Sequence, residues 1–172
     1  MNEARSCLMM ALFLAAISFL ATAVEDRDST NVYASLPAQI EIQVPSQYEN
    51  LQLMNCSPSS YGSATSGVEV RSNLNWSLNV AGSTATGHMI GSTGTPLHEL
   101  HSPMTVRSLD PAGGPVTIPG IDSSPAMLLT NIAPGDYSGS SIISLTFEQF
   151  FGWNDYADDD YRLTLTLTAA PT

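Results

Sequence analysis

The side chains able to do chemistry gather in two short stretches. The first is His98-Glu99-Leu100-His101. Two histidines and a glutamate are the ingredients of a zinc protease, where histidines one helical turn apart face a single metal with the glutamate beside them. Here the histidines are three residues apart and lie between Pro96 and Pro103, which disfavour a helix. On a strand that spacing turns the two rings to opposite faces. A solvated loop is therefore expected.

The second stretch, Asn154-Asp155-Tyr156-Ala157-Asp158-Asp159-Asp160, is the densest run of oxygen donors. Calcium takes about six to eight oxygens, often from such loops. Asp155, Asp158, Asp159 and Asp160 are the candidate calcium ligands. The run lacks the alternating acids, the glycine and the closing glutamate of a calcium hand, and crowded like charges also suit a solvated tip joining two strands. No other cofactor is indicated.

Nucleophile motifs are missing. Gly135-Asp136-Tyr137-Ser138-Gly139 does not centre its serine between glycines as a hydrolase elbow does. The chain has no lysine, so no phosphate loop can end in one. Cys7 and Cys56 are the two cysteines, too few for a four-thiolate zinc site. No carboxylate pair stands out for sugar hydrolysis. The expectation is a protein that is not an enzyme.

Aromatic side chains offer a different chemistry. Phe151, Trp153 and Tyr156 lie where a strand pattern gives way to the acidic run. Such a cluster is a platform for stacking sugars or docking a subunit, or it caps the end of the fold. Trp76 instead shares an alternating face with Leu74, Leu78 and Val80, which makes it a core residue. Cys56 reads as a small buried hydrophobe, or as the partner in an intermolecular disulfide. Asn55-Cys56-Ser57 and Asn75-Trp76-Ser77 both fit the N-glycan acceptor pattern.

The elements that position these groups are strands. In Tyr161-Arg162-Leu163-Thr164-Leu165-Thr166-Leu167-Thr168 apolar and polar side chains alternate, so Tyr161, Leu163, Leu165 and Leu167 share one face. The same pattern runs through Leu74–Val80 and Ser141–Phe151, and Ile40, Ile42 and Val44 mark a first strand stopped by Pro45. Leu51-Gln52-Leu53 is a weaker candidate. Residues 55–67, rich in serine, glycine and asparagine, are expected to be a loop or a wandering edge. Glycine and proline punctuate the middle third, excluding long helices. The expected fold is all-β: a single antiparallel β-sandwich, Ig-like or jelly-roll-like, with the last two strands paired.

Residues 1–23 have the form of a signal peptide: Arg5, an apolar run from Leu8 to Leu20, and Ala21-Thr22-Ala23 as a cleavage site. Residues 24–37 are a polar, flexible lead-in, and 38–172 the sandwich. The expected protein is secreted or at the cell surface, with no membrane span once the signal is removed. Sixteen carboxylates against five arginines give a net charge of −11, which argues against nucleic acid or an anionic bilayer as partner.

Val68-Glu69-Val70-Arg71-Ser72-Asn73 followed by Trp76-Ser77-Leu78 is similar to the first signature of WxL-type cell-surface domains. The closing Tyr161–Pro171 stretch resembles their second, with Leu165 where a tryptophan is expected. Pro134-Gly135-Asp136-Tyr137 resembles a turn before the last hairpin of prokaryotic, including archaeal, surface-layer and pilus subunits. The resemblance implies a non-catalytic domain of the cell envelope that adheres to wall polysaccharide or assembles with itself or other envelope proteins. On that reading Ile40, Ile42 and Val44 form the strand exchanged between subunits, or Trp153, Tyr156 and Phe151 bind carbohydrate.

Overall fold

The computed structural model describes residues 34–158 and 160–172. The expected signal peptide, most of the lead-in and Asp159 lie outside them. Every element below belongs to the unit Pro37–Thr172.

The strands are β1 Ile40–Gln43, β2 Ser60–Ser72, β3 Trp76–Gly82, β4 Thr105–Ser108, β5 Gly113–Thr117, β6 Ala126–Ile132, β7 Gly135–Tyr137, β8 Ile143–Phe151 and β9 Leu165–Pro171. They form two antiparallel sheets, one ordered β1-β2-β8-β4-β5 with β7 also on β2, the other β6-β3-β9. The sheets pack face to face as a β-sandwich, as the alternation requires: each has one dry face that only another layer can cover.

That dry interior is built from alternate residues. Val68 and Val70 of β2, Trp76, Leu78 and Val80 of β3, and Ile143, Leu145 and Phe147 of β8 are all buried. Burial of each such side chain contributes about 1.5–3 kcal/mol. Between β3 and β4 the chain runs without a strand, yet it sends Met89, Leu100 and Met104 into the same core. Trp76 is fully enclosed, with the Tyr137 ring edge-on at 5.5 Å and 70°. A tilted pair of this kind favours ring edge against ring face.

Four expectations are corrected. Ser60–Gly67, expected as a loop or wandering edge, is the first part of a long strand paired with β8 from Ser60↔Phe151 to Val68↔Ile143. Its small residues are a packing requirement: a Cβ at Gly62 would lie 2.8 Å from Cys56 Sγ and 2.9 Å from Phe151. Leu51–Leu53 is not a strand, although the adjacent Met54 bridges Ser63. The last two strands do not pair with each other, because β8 belongs to the large sheet and β9 lies beside β3, with Trp76 opposite Pro171. The closing strand is also shorter than expected. Its first residues instead bind a loop, Arg162 and Ile90 exchanging backbone hydrogen bonds of 2.9 and 3.0 Å. The face assignment stands: Tyr161, Leu163, Leu165 and Leu167 pack on the core, while Arg162, Thr164, Thr166 and Thr168 are exposed.

Candidate functional site

The histidine stretch and the acidic run, far apart in sequence, form one structure. Residues 91–102 and 152–162 are two loops at the end of the sandwich where β2 begins and β8 finishes. Leu100 and Tyr161 anchor them on the core, and polar groups hold the rest. Asp158 Oδ2 accepts hydrogen bonds from the Thr93 hydroxyl at 2.6 Å and the Thr93 N–H at 3.0 Å. Its Oδ1 accepts from the Asp160 N–H at 3.1 Å. These bonds, the Thr93 hydroxyl first among them, hold the Asp158 carboxyl down to about 2.

Asp155 makes a second clasp. Its Oδ1 accepts from the His101 backbone N–H at 2.9 Å and from His101 Nδ1 at 2.8 Å, and its Oδ2 accepts from the Gly152 N–H at 2.6 Å. Burial pushes this carboxyl up, but the bonds from His101 and Gly152 more than reverse that and leave it lowered. With Nδ1 donating to a carboxylate, the hydrogen-bond network assigns the unprotonated nitrogen of neutral His101 to Nε2. The Asp155 side chain is 5% exposed and that of His101 61%.

Rings and a buried amide complete the clasp. His98 stacks on Tyr156, with centroids 4.1 Å apart and planes at 11°. Tyr161 donates its hydroxyl to the Tyr156 carbonyl at 2.8 Å. Burial, then the nearby Asp158 and Asp155 charges, raise the Tyr161 hydroxyl above its usual range. Gln149, on the inner face of β8 and fully buried, donates to the Ser102 and Phe150 carbonyls, both at 2.8 Å. It ties the histidine loop to the sheet.

The candidate calcium ligands are thus directed to separate partners: Asp155 to His101 and Gly152, Asp158 to Thr93, and Asp160 to Arg162. Asp159 lies outside the described residues. Among the described residues, no three of His, Cys, Asp and Glu gather as a metal would need. His98 and His101 likewise serve different neighbours.

The aromatic platform is rearranged. Trp153 is 79% and Tyr156 64% exposed, but Phe151 faces inward and packs on the core against Gly62. It continues the inner row of Ile143, Leu145, Phe147 and Gln149, so the strand period withdraws it from the surface. The same period turns Phe150 outward, against the exposed ring of Tyr61 at 5.2 Å. The Phe150-Phe151 dipeptide signals one outward ring; Tyr61 is hidden in a stretch with no apolar alternation.

At the opposite end, β1 pairs with β2 from Ile40↔Ser72 to Gln43↔Glu69 and forms the margin of its sheet. Ile40 and Val44 pack on the core, whereas Ile42 is partly exposed. Asn73 fastens the start of the strand: its side chain donates to the Pro37 carbonyl at 2.6 Å and accepts from the Gln39 N–H at 2.8 Å. Arg71 pairs with Asp136 at 3.2 Å on the outer face, where the Ser138 hydroxyl and Arg71 together lower the Asp136 carboxyl.

Cys56 is exposed, which overturns the reading of it as a small buried hydrophobe. Partial burial still raises its thiol above the usual value. Asn55 and Asn75 are both exposed, and Asn75 donates to the Asn131 side chain at 3.0 Å. Trp76, Ser77 and Leu78 are all buried, so the first stretch of the WxL resemblance is interior sheet. No family model matches the chain, and no curated protein matches it.

Proposed function

We propose that the protein is a non-catalytic structural or adhesive component of the cell exterior, associating through sheet edges with copies of itself or with other envelope proteins. The observation that carries this reading is β1. It is a short marginal strand whose outer backbone edge meets no further strand among the described residues, and Ile42 on it is 37% exposed. An open edge offers N–H and C=O groups to another chain. Proteins that stay apart blunt such edges with lysine, and this chain has none. The apolar Ile40, Ile42 and Val44 then supply the side chains of an exchanged or added strand.

Sedimentation velocity of the chain over a wide concentration range tests the reading, with Ile42→Lys as the variant. The wild type should form larger species as concentration rises, and the added charge should suppress them by about tenfold or more in concentration. A wild type that sediments as a monomer throughout removes the edge-association proposal.

A further inference from the structure

We infer that the clasped loop pair binds a neutral sugar, with Trp153 and Tyr156 as stacking rings and His101 Nε2 as a hydrogen-bond acceptor. A single exposed aromatic needs no explanation. Two on one turn, flanking its most firmly fixed residue, do. Asp155 stands between them, held by three hydrogen bonds and almost withdrawn from water. Tyr156 is further set by the His98 ring and the Tyr161 hydroxyl. The Tyr156 ring is therefore ordered before any ligand arrives, which lowers the entropic cost of binding.

The chemistry of the tip selects the ligand. A pyranose has an apolar face of C–H groups that lies on an aromatic ring, and a rim of hydroxyls that need partners. The exposed indole and phenol rings offer the first. His101 offers the second: Asp155 fixes its tautomer and leaves Nε2 as an acceptor toward solvent. Asp155, Asp158 and Asp160 belong to the same loop pair, in a chain of net charge −11. Uronates, sulfated sugars and phosphate-bearing polymers are repelled, so the ligand is a neutral hexose or N-acetylhexosamine chain. This surface is distinct from β1, and the inference stands or falls independently of edge association.

The two tryptophans provide the readout. Trp76 is fully buried, so the fluorescence that acrylamide quenches belongs to Trp153. Quenching is measured on the intact chain with oligosaccharides of β-glucan, mannan and chitin, and with oligogalacturonate as the anionic comparison. At least one neutral oligosaccharide should shield Trp153, while oligogalacturonate does not. In affinity gels containing that neutral polymer, Trp153→Ala and Tyr156→Ala should each weaken retention by about tenfold. His101→Ala should weaken it less, and Trp153→Phe should keep most of it. The inference is overturned if no neutral sugar shields Trp153, if only the anionic one does, or if Trp153→Ala leaves retention unchanged. It is overturned equally if Trp153→Ala alters sedimentation but not sugar retention, which would make the ring a subunit contact.

Discussion

The two ends of β2 treat the two tryptophans of this chain in opposite ways. Near Val70, Trp76 is sealed between the sheets against Tyr137; near Tyr61, Trp153 is left in water. The first end is closed by apolar surface, the second by hydrogen bonds to carboxylates. Apolar packing is indifferent to protonation, whereas the bonds to Asp155 and Asp158 are strongest while those groups are ionised. Ring type therefore does not decide a tryptophan's role here. What decides it is whether the ring hangs from an inward strand position or from a turn.

The sharpest break in this comparison is removal of the buried ring. Trp76→Ala should destabilise the fold by about 3–5 kcal/mol, read by urea unfolding, because the cavity adds to the lost transfer energy. A loss below about 1 kcal/mol would mean that the Trp76–Tyr137 end is not a packed core.

Gln149→Leu comes next. It leaves the part-buried Ser102 and Phe150 carbonyls without their donor, offset in part by removal of the unpartnered Gln149 Oε1, at a net cost of about 1 kcal/mol. The same unfolding curves read it, and faster amide exchange should appear around His101 before it appears in β3.

Acid should loosen one end before the other. Asp158 has its folded value at about 2, below the ordinary 3.8. Its contribution is thus complete above about pH 4 and is lost as pH falls toward about 2. Asp155, also lowered, acts in the same direction. Exchange of the Thr93 amide should rise over that interval while near-ultraviolet dichroism from the Trp76 environment is retained. Asp158→Asn should flatten the rise, and an unchanged titration would show that the Thr93 contact does not hold the loop.

The smallest effect is on the exposed side. Trp153→Ala should change unfolding stability by no more than about 0.5 kcal/mol, as exposed positions do. A larger loss would assign Trp153 to the architecture and erase the contrast with Trp76.

Much of the fold could be read from alternation. The inner row of β8 and the Leu163, Leu165 and Leu167 row follow directly from the period of two, and so does the burial of Trp76. The same rule applied to the end of β8 turns Phe151 inward and Phe150 outward, which reading Phe151, Trp153 and Tyr156 as one cluster overlooked. Ser60–Gly67 was illegible for another reason. Small polar residues carry no apolar period, and they form a strand because β8 supplies the backbone partners and leaves room for little else at Gly62.

The candidate site was legible only in pieces. His98, His101 and the acidic run were each visible, but their joining depends on which loops the sheet order brings to the same end.

The sequence by itself determined which side chains face inward, because a strand's handedness and pleat turn alternate residues to opposite sides wherever it lies. It also determined the acidic exterior and the absence of long helices among the described residues. Only the tertiary structure decided that β8 and β9 part into different sheets, that Asp155 meets His101 and Asp158 meets Thr93, and that Trp153 stays wet. Those outcomes depend on pairings between distant segments, where the donors and acceptors of one loop are satisfied by whichever other loop the sheets place beside it.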